Sequence, residues 1–345
     1  MRTKKVCVLG HFGFGKELIN GQTIKTKTLA NTFDEVFGRE NVLKIDTHGG
    51  IKALFLLPIQ VTYALFSCEN VVLLPAQRGV QLIVPLVSLL NRIFHRNTYY
   101  SVIGGWLPEL IKKRKMLKYS LSRLTKIWVE TTTLLKRLEN SGLNNVQVVP
   151  NFKKIHILSE TELIFHQTEP LPLCSFSRVN KKKGIEDAVD AVNKINKKNG
   201  RQVFSLDIYG PIDKGEMQWY EEIQHKFTEG ISYKGVIPPE ESVNVIKNYY
   251  ALLFPTQYFT EGVPASIIDS YSAGVPVVCS QWESFADVVV EGKTGISFDF
   301  GSTDGLLEAL EKVKNPSTLN EMKINCIVEA QKYQPLFAID IMGLT

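Results

Sequence analysis

The feature that most constrains this chain is an alternation, run twice, of short and largely apolar segments with longer segments of helical length. In the first half, Val6–Gly10, Val42–Asp46, Asn70–Pro75, Asn97–Ile103, Ile127–Glu130 and Val146–Val149 read as strands. Gly21–Phe37, Ile51–Phe66, Val80–Phe94 and Thr132–Asn140 read as helices between them. Strands that are apolar on both faces need cover on both faces, which predicts a parallel sheet between helical layers. Residues 151–172 are irregular and contain Pro170 and Pro172, as a linker does. The alternation then restarts. Leu173–Phe176, Phe204–Tyr209, Ile231–Lys234, Ala251–Pro255, Val275–Cys279 and Ile296–Phe298 read as strands. Gly184–Asn199, a segment from near Pro239, Pro264–Ala273 and Thr303–Lys314 read as helices. In Gly184–Asn199 the residues Ile185, Ala188, Val189, Val192 and Ile195 share one face, and Gly200 suits a C-terminal cap. The expectation is an α/β chain of two Rossmann-like domains, 1–160 and 161–333, facing each other across a ligand cleft. Parallel sheets bind ligands beyond the carboxyl ends of their strands. The segment 334–345, with Pro335 near its start, is expected to pack back on the first domain.

Length and charge narrow the function. A chain of 345 residues accommodates two domains, and a net charge of +5 is too mild to indicate nucleic acid. The five cysteines, Cys7, Cys68, Cys174, Cys279 and Cys326, are scattered and lack metal-ligand spacing. They read as buried thiols of a reducing compartment, with no disulfide framework and no metal site expected. The start offers only five apolar or small residues before Gly10 and His11, too few for a secretory signal core. Ile51–Phe66 and Val80–Phe94 fall short of the roughly 20 residues that span a bilayer. They read as buried helices between strands, with monotopic membrane contact as the second reading. A cytoplasmic protein is expected.

One glycine-rich motif is tempting. Gly10 to Lys16 fits G-x-x-x-x-G-K, most of a P-loop. The next position should offer a hydroxyl to Mg²⁺, and here it is Glu17. Asn20-Gly21 then interrupts the helix whose N-terminus would hold phosphate. Gly13 and Gly15 also fail the dinucleotide pattern, since residue 18 is leucine. The preferred reading is a loop that lets backbone approach a ligand, which Asn20-Gly21-Gln22-Thr23 also serves.

Two later segments carry more chemistry. In Ser175-Phe-Ser-Arg178-Val-Asn-Lys-Lys-Lys183-Gly184 a strand ends just before Arg178, and Lys183 opens the following helix. A departing diphosphate needs such cations: arginine supplies a planar fork and lysine a point charge. In the second segment a strand ends at Pro255 and a loop carries Glu261-Gly262-Val263-Pro264 into a helix that contains Asp269. A carboxylate accepts hydrogen bonds from sugar hydroxyls, while free N–H groups at a helix start hold phosphate. Glu261 and Asp269 also admit a plainer reading, as a dipole partner and a surface helix residue.

Together these segments resemble the retaining glycosyltransferases of family four in the sequence-based classification. That family's pattern is a glutamate, seven residues and a second glutamate, followed by A-x-G-x-P-V. Glu261-Gly262-Val263-Pro264 and Asp269 through Gly274-Val275-Pro276-Val277 match the spacing. Arg178 and Lys183-Gly184 match its basic pair, and Tyr209-Gly210, Lys234-Gly235 and Glu291-Gly-Lys-Thr-Gly295 also fit. The resemblance covers the second half well and the first half loosely. It implies a GT-B fold. It implies that Arg178 and Lys183 bind and stabilise the donor diphosphate, that Glu261 contacts the donor sugar, and that Asp269 holds the ribose. Gly210, Gly262, Val263 and Pro264 would line the donor, Val236 would border the base, and Asn20 and Gly21 would approach phosphate and acceptor. No metal or cofactor is implied; the nucleotide sugar, a UDP-sugar first among the choices, is a co-substrate. Two departures stand out. The second acid is Asp269, one methylene short. The region after the fourth strand reads Val102-Ile103-Gly104-Gly105-Trp106, where relatives carry a histidine. Gly105, Trp106, His11 and His48 are left as acceptor-side candidates, with no catalytic base named.

Residues 111–128 add Lys112, Lys113, Arg114, Lys115, Lys118, Arg123 and Lys126, with no acid, interleaved with apolar residues. Such a stretch suits an anionic membrane surface. The expected function is therefore that of a hexosyltransferase moving sugar from a nucleotide donor to a hydroxyl of a lipid-linked glycan. Capsule or exopolysaccharide assembly is the setting the resemblance implies, at the inner face of the plasma membrane. The competing expectations are a sugar-nucleotide epimerase, a P-loop nucleotide hydrolase and an inactive sugar-binding subunit.

Overall fold

The chain folds as two units, each organised around one six-stranded parallel sheet, in a computed structural model that describes residues 3–15 and 21–344. The first unit comprises residues 1–154 and 335–345, and the second 155–334.

In the first unit the strands are β1 (Lys4–Gly10), β2 (Val42–Asp46), β3 (Cys68–Leu74), β4 (Asn97–Ser101), β5 (Lys126–Val129) and β6 (Val146–Val148). The helices are α1 (Gly21–Phe37), α2 (Gly50–Ser67), α3 (Gln77–Phe94), α4 (Leu107–Lys112), α5 (Lys115–Ser122) and α6 (Thr132–Asn140). The sheet order is β2-β1-β3-β4-β5-β6. Right-handed crossovers place α1 on one face and the helices from α2 to α6 on the other. The core divides the same way. Leu29 and Phe33 of α1 pack with Val6, Val8 and Trp128, whereas Val61, Leu65, Val84 and Leu121 pack with Cys7, Leu9 and Val71. The C-terminal helix of the chain, Pro335–Met342, joins the first set through Ala338, Ile339 and Met342. Gln147 Nε2 donates to the Ile341 carbonyl at 2.7 Å, tying this helix to β6.

The second unit contains β7 (Leu171–Phe176), β8 (Phe204–Tyr209), β9 (Ile231–Gly235), β10 (Ala251–Phe254), β11 (Val277–Ser280) and β12 (Gly295–Phe298). Its helices are α7 (Ile185–Asn199), α8 (Met217–Gln224), α9 (Ser242–Ile246), α10 (Ala265–Ser272), α11 (Thr303–Lys312), α12 (Pro316–Asn320) and α13 (Lys323–Ala330). The Pro335–Met342 helix is α14. The strand order is β12-β11-β10-β7-β8-β9, all parallel. Successive strands run outward from β7 in one direction and from β10 in the other. The chain therefore reverses its winding between β7 and β10. At such a reversal the loops leaving the two strands diverge to opposite faces and leave a crevice at the carboxyl ends.

Three expectations change. Ile51–Phe66 and Val80–Phe94 are helical but buried on one face only: Val61, Leu65, Val84 and Val87 are core, whereas Leu56, Ile59, Tyr63, Phe66, Leu82, Leu89 and Ile93 face water. The stretch 111–128 is no continuous amphipathic helix: it comprises the end of α4, α5 and the start of β5. Its apolar residues Ile111, Leu117, Leu121, Leu124 and Trp128 are core, and Met116 alone of that set is exposed. The predicted strand Asn97–Ile103 stops at Ser101, since Gly104 takes φ +75° and turns the chain away.

Candidate functional site

The reversal between β7 and β10 is where the chemically suggestive residues of the second unit meet. Beyond β7 the chain passes Ser177, whose N–H bonds to the Tyr209 carbonyl at 3.1 Å, and reaches Arg178. Asn180 then caps a single 3-10 turn, Lys181–Lys183, its side-chain oxygen accepting from the Lys183 N–H at 3.2 Å. That turn places Lys183 at the mouth of α7. Gly184 follows at φ +69°, and a Cβ there would lie 1.9 Å from the Pro255 carbonyl oxygen. Glycine is therefore required twice over at this position, for its left-handed backbone and for the contact that presses the loop after β7 against the end of β10. Gly210 is similar: at φ +128°, its Cβ would meet the Ser177 carbonyl at 1.8 Å.

These close approaches bring Lys183 onto Glu261, 78 residues later, as a direct ion pair between Nζ and Oε1. The side chains are 13 % and 19 % exposed. The buried Thr256 hydroxyl lies 3.3 Å from the same Glu261 oxygen. Lys183 Nζ also sits 5.0 Å from the Tyr258 ring centre and 5.5 Å from that of Phe254, within cation–π range. Ser280, at the end of β11, donates to the Thr256 carbonyl at 2.7 Å and fixes the exit of β10. Arg178 is more open and pairs with Asp213 Oδ2 at 3.2 Å, which Asn180 also contacts at 2.9 Å. The arrangement offers two cations, Arg178 and Lys183, each held by a carboxylate, Asp213 and Glu261, so the loops after β7 and β10 stay near charge balance until an anion enters. Asp213, Asn180, Thr256 and Tyr258 had not been singled out. Only Asn180 carried a sequence signal, as a cap before three lysines; Asp213 is brought in by the tertiary fold.

Other expected residues are placed differently. Asp269 is 3 % exposed and has partners within the fold, so the surface-helix alternative does not hold. The Val263 side chain belongs to the core, packed with residues such as Ile267 and Trp282, and does not line the crevice. Pro264 is also buried and precedes α10. Val236 is exposed beside Gly235, whose carbonyl accepts from the Gly210 N–H at 2.9 Å. Tyr233 donates to the Gly210 carbonyl at 2.8 Å.

In the first unit the glycine-rich loop does not behave as a P-loop. The N–H groups of Phe12 and Phe14 donate to the two carboxylate oxygens of Asp46 at 2.9 and 3.0 Å. His48 N–H adds a third bond at 2.9 Å. Partial burial acts to raise the Asp46 pKa, but the N–H groups of His48, Phe14, Phe12 and Gly13 outweigh it and hold it below the usual carboxylate range. The protein's own anion occupies the donors that a phosphate would need. Lys16, Glu17 and Asn20 lie outside the described residues. Gly21 opens α1, with open space where a Cβ would stand.

His11 and His48, far apart in sequence, meet here: His11 Nε2 is 2.8 Å from His48 Nδ1, and His11 Nδ1 is 2.8 Å from the Thr23 hydroxyl. Burial, then the facing His48, lowers the His11 pKa against the pull of Asp46. Gly105 is buried, and Trp106 spends its indole N–H on the Ile103 carbonyl at 2.7 Å while its ring packs on the core. Trp106 therefore serves its own turn first.

Comparison with known proteins follows the same division. Over the full length the fold matches sucrose-phosphate synthase of Thermosynechococcus elongatus, at 14 % identity and a TM-score of 0.79, covering 99 % of this chain and 98 % of that one. It matches Alr3699/HepE of Anabaena in complex with UDP-glucose at 12 % identity and a TM-score of 0.71, covering 98 % of each. It matches the lipopolysaccharide outer core galactosyltransferase WaaB at 15 % identity and a TM-score of 0.69, covering 98 % of each. These likenesses give the fold, α/β with two parallel six-stranded sheets, as in GT-B glycosyltransferase structures. In sequence, 130 residues are 24 % identical to a Salmonella typhimurium protein named as a colanic acid biosynthesis glycosyltransferase, WcaL. That match spans 36 % of this chain and about a third of the relative's length, 32 %. The profile of the glycosyl transferases group 1 matches residues 160–332, which contain Arg178, Lys183, Glu261 and Asp269. With half of its length matched, including the whole strand-end crevice, the chain belongs to the glycosyl transferases group 1.

Proposed function

We propose that this chain transfers a hexose, with retention of anomeric configuration, from a nucleoside diphosphate sugar to a hydroxyl of a growing surface glycan. The observation that carries the reading is the Lys183–Glu261 pair at the winding reversal between β7 and β10, with Arg178 on the same loop after β7. As the bond between the anomeric carbon and the diphosphate oxygen breaks, negative charge collects on the leaving group. Arg178 and Lys183 are preorganised cations for it, and a charge met in place costs little reorganisation. Lys183 then exchanges one carboxylate partner for phosphate oxygens, which frees Glu261 to accept hydrogen bonds from the donor sugar. The acceptor oxygen attacks the face the diphosphate leaves, and its proton passes to a departing phosphate oxygen. No metal is needed for this charge balance.

Asp269 is assigned to the ribose, the backbone at Gly210 and Gly262 to the diphosphate and sugar, and Val236 to the edge of the base. UDP leads the donor choices, because the HepE structures of the same fold hold UDP, UDP with glucose, and UDP-glucose. The first unit, with His11 and His48, is assigned to a lipid-linked glycan acceptor of capsule or exopolysaccharide type. The test is a thermal-shift panel of nucleotide sugars, followed by transfer assays and NMR of the product's anomeric configuration. A donor that binds the folded state at a hundredfold excess over Kd should stabilise it by about 2.7 kcal/mol. The reading fails if no nucleotide sugar shifts the melt and none is turned over. An inverted product removes the retaining assignment, and loss of turnover in chelator removes the metal-free one.

A further inference from the structure

Among the described residues, the outer face of α2 and α3 carries large apolar side chains left open to solvent. Phe55 is 79 % exposed, Ile59 68 % and Ile93 73 %, and Phe66, Leu82 and Leu89 are also exposed. On α2 the spacing is four and then seven residues; on α3 it is seven and then four. Each set is one stripe of a helix, and the helices pack side by side. Scattered exposed leucines are ordinary, but aligned stripes on neighbouring helices form a continuous patch of the kind that marks an interaction surface. A groove of about 480 Å³, lined by Ile59, Tyr63 and Phe66 of α2 and by Phe94, runs along it.

The charge around the patch indicates what covers it. Residues 47–129 hold eleven Lys and Arg against two carboxylates, Glu69 and Glu109, in a chain whose total is +5. Arg92, His95, Arg96 and Arg123 line a second cleft at the end of α3, where His95 follows directly on the Phe94 of the apolar groove. Lys112, Lys113, Arg114 and Lys115 are exposed where α4 passes into α5, and α5 packs beside α3. A second copy of the chain on this face would set basic rim against basic rim. An anionic lipid leaflet meets both features, taking apolar side chains at the acyl boundary and cations at the phosphates. No described helix is long and apolar enough to cross a membrane, so contact would lie in the plane.

We infer that the outer face of α2 and α3 docks on a membrane leaflet containing anionic lipid. The lipid-facing surface is then α2 and α3, with the basic residues of 111–128 as its rim. The inference does not depend on the transfer reaction, because vesicle binding requires neither donor nor acceptor.

The test is sedimentation of the full chain with phosphatidylcholine vesicles, with and without phosphatidylglycerol. The chain should bind the mixed vesicles and lose binding at high salt. Ile59→Ser with Ile93→Ser should weaken binding by about a hundredfold, on the scale of two inserted side chains. Arg92→Ser and Lys115→Ser should each weaken it by about fivefold on mixed vesicles alone. All four side chains are exposed, so melting temperatures should stay near wild type. Failure to bind mixed vesicles, or equal binding by wild type and the apolar double variant, would overturn the inference. So would light scattering that shows a dimer dissolved by the apolar variant, because the face would then be a self-interface.

Discussion

Lys25–Glu130 in the first unit and Lys183–Glu261 in the second are the same chemical pair in two settings. Lys25 on α1 meets Glu130, just past β5, at 2.6 Å, with side chains only 7 % and 5 % exposed. Lys183 and Glu261 are slightly more open, at 13 % and 19 %, and lie at the winding reversal, with Lys183 Nζ within cation–π range of the Phe254 and Tyr258 rings. The first pair ties a helix to a strand end and is almost wholly buried. The second stands at the strand-end crevice, where the donor diphosphate of the proposed reaction would replace one partner. A buried ion pair is weak evidence for stability in itself, since desolvation offsets much of the attraction. Exposure and topology, not pair chemistry, separate a structural tie from the proposed site.

The largest effect tests the tie. Lys25→Met strands the Glu130 charge, and the expected cost is about 3–5 kcal/mol in urea unfolding. A loss below about 1 kcal/mol would show that the Lys25 pair contributes no more than a surface bridge. Lys183→Ala and Glu261→Ala should leave unfolding much closer to wild type while lowering transfer by about a hundredfold or more. Near-normal turnover in either variant would remove the distinction between the pairs.

A lysine with no ion-pair partner sharpens the comparison. Among the described residues Lys323 lacks one, although it is 1 % exposed, and burial pulls its pKa down to about 8. Nearby, His166 keeps a buried Nε2 with no hydrogen-bond partner, and burial followed by Lys323 lowers its pKa. Since the unfolded lysine holds its proton to about pH 10.4, the unfolded state binds more protons between pH 8 and that value. Stability should therefore rise with pH across that window. Lys323→Met should stabilise the neutral-pH protein by about 1–3 kcal/mol and abolish the slope. A flat wild-type profile would show that the ammonium has found water.

The smallest effect tests the first unit's own anion. Asp46→Asn should cost about 1–2 kcal/mol, because charged acceptors bind N–H groups more strongly than neutral ones. Its folded pKa is depressed, so its contribution is present above the unfolded value near 3.9 and disappears as pH falls through the folded one. Acid titrations of wild type and Asp46→Asn should converge at the low end; parallel curves would deny the carboxylate this role.

Much of the architecture was legible in the residues. The spans Gly21–Phe37, Val42–Asp46, Thr132–Asn140 and Phe204–Tyr209 coincide with observed elements, because helical period and β-apolar runs there are bounded by Gly, Asn or Asp signals. Arg178, Lys183 and Glu261 stand out by their spacing and by the loops that carry them, and the fold pairs Lys183 with Glu261. What was not legible depended on orientation around each helix axis. Ile51–Phe66 is apolar on nearly all sides, so its sequence did not tell which stripe would be left outside. Residues 111–128 appeared amphipathic only while α4, α5 and β5 were treated as one element. Val263 sits in a functional-looking motif yet packs inward, since motif position does not specify side-chain direction.

By itself the sequence determined the α/β alternation, the restart after the linker and the identity of the charged residues at strand ends. Those are local properties, set by periodicity, apolar runs and turn residues a few positions apart. Only the tertiary structure decided that Lys183 meets Glu261, that Asp213 holds Arg178, that His11 meets His48 and that Asp46 fills the glycine-rich loop. Each of these contacts joins segments more than thirty residues apart, and strand order, not local spacing, sets that distance. The physical reason is the winding of parallel sheets: neighbours in space are chosen by crossovers, and those are settled when helices of both faces find their cores.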